Sequence, residues 1–254
     1  MDNKDPENRT YFGFEEINKH NKSKKVRQVF DEVSDSYNLM NDLMSFGIHR
    51  IWKRVVIEMA NIRSDSHILD LAGGTGDMVK LIAPKLEGEG EVILSDININ
   101  MLNSGRDRLI DEGINNFKTV QIDAQLLPFK KNTFDIVSMA FGLRNVTDIE
   151  QTLKSIIGCL KPGGKLIVLE FSRPTNETVR EIYDFYSFEV IPKLGKIVAH
   201  SEESYRYLAE SIRMHPNQME LEELFKEAGY VDCSYENLTN GIVAIHTGRK
   251  PLKK

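Results

Sequence analysis

The stretch Ile68-Leu69-Asp70-Leu71-Ala72-Gly73-Gly74-Thr75-Gly76-Asp77 decides how this chain is read. From His67 to Ala72 runs a short apolar segment with a single acid, the pattern of a strand buried on both faces. Three glycines then fall within four positions, and Met78-Val79-Lys80-Leu81-Ile82-Ala83 begins a helical pattern. A strand, a glycine turn and a helix in succession are how an α/β domain builds a nucleotide site. A Cβ there would obstruct both the tight turn and the close approach of a ligand to the backbone.

The turn does not have the dinucleotide spacing. Counting from Gly74, Val79 stands where a third glycine belongs, which counts against a nicotinamide dehydrogenase. Asp70 and Asp77 flank the glycines, and such a turn suits a neutral or cationic ligand better than a pyrophosphate. Working outward, Glu91-Val92-Ile93-Leu94-Ser95-Asp96 reads as a second strand ending in an acid, where a carboxylate can accept both hydroxyls of a ribose. A helix over Asn98–Glu112 leads to a third strand, Phe117–Ile122, followed by Asp123-Ala124. Asn132–Val137 supplies a fourth strand. Asp148–Leu160 is helical, and Pro162-Gly163-Gly164 releases a fifth strand, Lys165–Phe171. This alternation implies a mostly parallel sheet with right-handed crossovers. Farther on, Gln218–Ala228 is a helix ended by Gly229. Tyr230–Asn237 and Ile242–Thr247 alternate as an antiparallel hairpin around Thr239-Asn240-Gly241.

Together these stretches resemble the S-adenosylmethionine-dependent class I methyltransferases. Three more segments narrow the resemblance: Tyr37–Lys53, Phe141-Gly142-Leu143-Arg144-Asn145-Val146-Thr147-Asp148, and Ser204–Ile212. From Phe12 to Gly248 the chain is similar to the ubiquinone/menaquinone biosynthesis C-methyltransferases. The resemblance implies a Rossmann-like α/β fold, with a mostly parallel seven-stranded sheet, a C-terminal antiparallel hairpin and a helical N-terminal cap. It implies S-adenosylmethionine as cofactor and, as acceptor, a ring carbon of a polyprenylated benzoquinol or naphthoquinol. Asp96 is then expected on the ribose diol, Asp123 and the Ala124 backbone at the adenine, and Gly73, Gly74, Thr75 and Gly76 along the methionine portion. Asp70 either sits near the ligand's ammonium or orients the turn. One position departs from the family pattern: Ala140 stands where a serine that touches the cofactor is often found.

The methyl donor arrives activated, so alignment and desolvation are what the protein must supply. The acceptor-side candidates are Arg144 and Asn145, in the loop after the fourth strand. Arginine does not readily lose a proton, but it can stabilise a phenolate or orient a water. His49 and His215 are alternative bases, each more simply read as packed or solvated. No histidine pair has zinc-ligand spacing, and no metal is expected.

The remaining composition sets bounds. With 254 residues and 41% hydrophobic residues the chain can carry one large α/β domain without staples. It divides into a cap (1–61), a cofactor-binding core (62–171), an acceptor-side insertion (172–216) rich in aromatics, and a final helix and hairpin (217–248). Cys159 and Cys233 match no metal or redox spacing, which suits a reducing cytoplasm. No signal core or membrane-length apolar run is present. A net charge of −5 argues against nucleic acid as a partner. The basic run Lys19, Lys22, Lys24, Lys25 and Arg27 is either a solvated helix start or a weak, transient contact with anionic lipid peripheral to the inner membrane. Residues 1–21 read as loose. Another small aromatic or lipid acceptor, or a non-catalytic scaffold of a quinone-biosynthesis complex, would share the core. Whether the chain forms a homodimer is left open.

Overall fold

A computed structural model of the chain describes residues 8–33, 41, 42, 44, 45, 47–198 and 201–252. At its centre lies β3 (His67–Leu71), with Ile68, Leu69, Asp70 and Leu71 all buried. Alternation sends Ile68 into the core on one face of the sheet and Leu69 and Leu71 into the core on the other. Parallel neighbours flank it: β4 (Glu91–Asp96) pairs Val92 with Ile68, and β6 (Phe134–Ala140) pairs Ile136 with the same residue. Beyond β4 lies β5 (Lys118–Gln121). Beyond β6 come β7 (Leu160–Phe171), β9 (Val243–Arg249) and the edge strand β8 (Val231–Leu238). The order is β5-β4-β3-β6-β7-β9-β8, and β9 is antiparallel to both its neighbours. The seven strands and the C-terminal hairpin agree with the expected fold.

Strand order reverses at β3, and ligands bind an open α/β sheet outside the carboxyl ends of the strands at such a point. Helices α3 (Asp77–Ile82), α4 (Ile99–Asp111) and α5 (Ile149–Cys159) form the crossovers. Their starts follow local chemistry: Asn98 caps α4 by accepting from Asn100 and Met101, and Asp148 caps α5 by accepting from Gln151. The strand after α5 begins earlier than its sequence suggests. Leu160 already pairs with Phe134, and Lys161-Pro162-Gly163-Gly164 bulge out before pairing resumes at Lys165 opposite Ile136. Pro162 has no N–H for the ladder, so a bulge is where it fits.

The N-terminal cap holds a structure that its polar composition concealed. Residues read as loose form an antiparallel hairpin, β1 (Arg9–Phe12) with β2 (Glu15–Asn18), which leads into α1 (Lys19–Val33). Then α2 (His49–Ala60) lays Trp52, Val56, Ile57 and Ala60 on the sheet. Between them, residues 37–40, 43 and 46 of the Tyr37–Lys53 segment lie outside the described residues. The insertion forms α6 (Glu177–Phe185), a π turn (Tyr186–Val190), α7 (Ile191–Val198) and α8 (Glu202–Met214). Cap and insertion meet where Phe12 stacks on Tyr207 at 4.1 Å between ring centroids. A final helix, α9 (Gln218–Glu227), precedes β8. Among the described residues no helix is long and apolar enough to cross a membrane.

Candidate active site

At the carboxyl ends of β3, β4, β5 and β6, with α1 above them, opens a cleft of about 780 Å³. Each strand contributes: Ala72 and Gly74 after β3, Asp96 at the end of β4, Asp123 and Ala124 after β5, Phe141 and Asn145 after β6. Val26, Arg27 and Phe30 of α1 close it from the cap. Two strand ends turn sharply at the cleft, with non-glycine residues in the left-handed region at Ala72 (φ 53°) and Phe141 (φ 59°). Such conformations are costly and persist where surrounding packing imposes them. The Phe141 ring packs 4.8 Å from Phe171 and 6.3 Å from Trp52.

Asp96 stands where its spacing placed it. One carboxylate oxygen accepts the Gly74 N–H at 2.9 Å and the other accepts the Asn98 N–H at 2.8 Å. Each oxygen has two lone pairs, so one acceptor site per oxygen remains. Burial raises its pKa, opposed by these backbone hydrogen bonds. Asp123 turns its carboxylate toward Gln125, accepting from the backbone N–H at 2.9 Å and from the side-chain amide. Ala124 lines the cleft beside it.

Gly73 and Thr75 line a second, smaller space of about 260 Å³ that shares Ala72 with the cleft and includes Lys53 and Asp77. Asp70 lies directly beneath. One oxygen accepts from Ser138 at 2.7 Å, and the other is buried with no hydrogen-bond partner. A Cβ on Gly73 would come within 2.5 Å of that unpartnered oxygen, which explains the glycine. Burial pushes Asp70 up to about 7. Gly76, at φ 82°, lies outside both spaces and turns the chain into α3. A cation beside the turn carries no signal in the sequence. Lys53, a buried lysine on α2, reaches across 2.6 Å to Asp77, which Arg108 also pairs at 2.7 Å. Its position in an amphipathic helix gave no signal of this.

The acceptor-side pair divides. Asn145 lines the cleft, but Arg144 does not. The Arg144 guanidinium is turned inward, 3% exposed, donating to Glu170 at 2.8 Å and to the Phe141 carbonyl at 2.6 Å. The expectation of an arginine presented to the acceptor is therefore corrected. A buried carboxylate one strand over captures it, and no local pattern reveals a partner twenty-six residues away. Asn145 is held from the other side, where the Tyr207 hydroxyl donates to its Oδ1 at 3.0 Å.

The candidate histidines also separate. His49 does find a carboxylate: its Nε2 lies 2.9 Å from Asp42, although burial still lowers its pKa. His215 is buried with neither ring nitrogen partnered among the described residues. Burial, assisted by the Arg144 charge, pushes it down to about 3, so it is neutral at physiological pH and a poor base. The basic run is partly spent inside the protein. Lys19 pairs with Asp148, Lys25 pairs with Glu15, and Lys22 is buried with its pKa pushed down to about 8.

The residues present fit S-adenosylmethionine. Free acceptor sites on Asp96 suit a diol, and an unpartnered buried carboxyl oxygen at Asp70 suits a nearby cation. Comparison with known proteins agrees. A model of the ubiE/COQ5 methyltransferase family matches residues 18–250. The ubiquinone/menaquinone biosynthesis C-methyltransferase UbiE of Methylococcus capsulatus is 54% identical over 245 residues, 96% of this chain and 99% of that protein. Among solved structures, an Aquifex aeolicus SAM-dependent methyltransferase superposes with a TM-score of 0.57 at 13% identity, covering 90% of this chain and 98% of that one. The Haemonchus contortus phosphoethanolamine N-methyltransferase 2, solved with S-adenosylhomocysteine, superposes with a TM-score of 0.64 at 16% identity over 89% of this chain and 60% of its own. At those identities the structures support the fold alone.

Proposed function

This chain belongs to the ubiE/COQ5 methyltransferase family, and from that premise we propose that it methylates a ring carbon of a polyprenylated benzoquinol or demethylmenaquinol in ubiquinone and menaquinone biosynthesis. The observation that carries the reading, beside family membership, is the cleft itself, with Asp96 at its β4 corner still able to accept two hydrogen bonds. Asp96 would hold the ribose, Asp123 and Ala124 the adenine end. Gly73, Gly74 and Thr75 would hold the methionine portion, with Asp70 facing its ammonium and Lys53 its carboxylate. Bound there, S-adenosylmethionine would supply an activated sulfonium methyl to the ring carbon, with S-adenosylhomocysteine as the leaving group and the displaced ring proton passing to solvent water.

The protein's own part is to align and to dry. Val26 and Phe30 of α1, with Phe141 opposite, close an apolar wall over the reacting region. Holding reactants in line contributes about 7–11 kcal/mol when they sit near attack distance. Asn145 is the polar side chain facing the acceptor, oriented by Tyr207. Arg144 acts as a positioning residue. Through its backbone N–H and its guanidinium it ties the turn after β6 to Glu170, which fixes the loop that carries Asn145.

A prenyl tail is nearly insoluble, so the acceptor is met at a membrane surface. Phe14, Ile182 and Phe185, each more than half exposed on the cap hairpin and α6, are the apolar groups suited to that contact. A strain lacking the protein tests the reaction: it should accumulate quinone species short of one ring methyl. An unchanged quinone profile would refute the proposal.

A further inference from the structure

Outside the cleft, basic side chains from three helices converge. Arg50, Lys53 and Arg54 of α2, Lys80 of α3 and Arg108 of α4 line an open space of about 330 Å³ that water can enter, with His49 and Leu81 completing its wall. Among the described residues, Asp77 is the one carboxylate in that wall. The fold brings these groups together. Arg50, Lys53 and Arg54 fall at i, i+3 and i+4 and share one face of α2, which packs against α3.

Their partners do not balance them. Lys53 and Arg108 share Asp77, at 2.6 and 2.7 Å. Arg50 pairs with Asp42, and Lys80 pairs with Glu112. The Arg54 side chain has no carboxylate partner among the described residues. Five cations thus meet three carboxylates, and burial lowers the pKa of His49 without adding a charge at neutral pH. In a chain of net charge −5 this is a local reversal of sign. Donor capacity is unspent as well. Lys53 carries three N–H groups and gives one to Asp77. Arg108 Nε is buried without an acceptor. Lys53 is 6% exposed, so water screens its charge poorly. A concave wall of one sign focuses its field on a small counter-ion, and guanidinium and ammonium groups are the side chains that bind phosphate oxygens.

We propose that this space is a binding site for a phosphate group, held by Arg54, Lys80, Arg108 and Lys53. It is distinct from the space that holds the methionine portion of the donor: the two share Lys53 and Asp77 and no other lining residue. The phosphate can come from solution or from a phospholipid headgroup. Ile51, 59% exposed between Arg50 and Arg54 on α2, gives the second source a physical basis, since an apolar side chain beside the cations can enter a bilayer.

The test is a calorimetric titration of the full chain with inorganic phosphate, at constant ionic strength with chloride as the balancing anion. Arg54→Gln leaves no carboxylate unpaired, so it should fold as wild type does and weaken phosphate binding about tenfold. Arg54→Lys keeps the charge and should recover part of that loss. Arg106→Gln removes a charge from α4 outside the space, and its affinity should stay within about twofold of wild type. Cosedimentation with phosphatidylcholine vesicles, with and without phosphatidylglycerol, separates the two sources. A loss of vesicle binding in Arg54→Gln assigns the phosphate to a lipid headgroup, and a loss confined to inorganic phosphate assigns it to a soluble one. Absence of binding by either route, or an equal loss in Arg54→Gln and Arg106→Gln, would overturn the inference. So would phosphate binding abolished by saturating S-adenosylhomocysteine, because the anion would then lie in the donor space.

Discussion

Asp96→Asn is the perturbation whose outcome follows most directly from the geometry. The native carboxylate accepts the Gly74 N–H on one oxygen and the Asn98 N–H on the other, leaving one lone pair on each for a ribose hydroxyl. An asparagine keeps one acceptor and turns the other position into a donor. One backbone N–H then faces an N–H₂ group, and one ribose hydroxyl loses its acceptor. A hydrogen bond to a charged group contributes about 1.5–3 kcal/mol. With the turn around Gly74 also disturbed, the loss should fall in the upper part of that range, about 2–3 kcal/mol. That corresponds to a cofactor affinity about 25- to 150-fold weaker. Calorimetric titration of S-adenosylmethionine into the variant measures it, with near-ultraviolet dichroism confirming the fold. An affinity within about threefold of wild type, under 1 kcal/mol, would refute the assignment of Asp96 to the diol.

Other outcomes follow. Asp70, raised by burial to about 7, holds a proton in the folded protein that the unfolded chain releases near 3.8. The stability this group contributes is therefore complete below 3.8 and is lost as pH rises through 7. A cation bound beside it favours the ionised form, so S-adenosylmethionine binding should release a proton and tighten as pH rises toward 7. Titrations in buffers of different ionisation enthalpy should show that release in wild type and lose it in Asp70→Asn. At Asp77 burial acts to raise the pKa, but the Lys53 and Arg108 charges outweigh it and hold the carboxyl well below its ordinary range. Its stabilisation is present at neutral pH and lost in acid, so the Tm gap between wild type and Asp77→Asn should close as pH falls below about 4. Arg144→Ala leaves Glu170, 1% exposed, as an uncompensated buried charge. It should cost about 3–5 kcal/mol in denaturant unfolding while the folded fraction still binds S-adenosylmethionine; unchanged stability would show the pair is not formed.

What could be read from the chain, and what could not, separates by distance in sequence. The βαβ alternation, the glycine turn and the acid at Asp96 depend on neighbours within one strand-turn-helix unit, so periodicity and spacing reveal them. The same holds for the caps at Asn98 and Asp148, whose partners lie two or three residues away. The strand start at Leu160 was missed because Pro162-Gly163-Gly164 ordinarily ends pairing, whereas here the ladder skips over them. The cap hairpin was hidden because its strands are four residues each and half exposed, with no apolar alternation to notice. Arg144 was assigned to the wrong surface because its direction is decided by Glu170 across a sheet neighbour. Lys53 and Tyr207 carried no local signal at all. Each acquires its role only when a distant element packs against it.

The reaction proposed for this chain places a methyl group on carbon, not oxygen, of a prenylated quinol. Purified protein should be incubated with lipid vesicles carrying demethylmenaquinol or the methoxy-polyprenyl-benzoquinol, and with S-adenosylmethionine bearing a deuterated methyl. Mass spectrometric fragmentation then locates the label. One deuterated methyl, retained on the ring after fragmentation, is expected in at least one of the two quinols. Label found on an oxygen, or no label in either quinol from folded protein that binds S-adenosylmethionine, would contradict it.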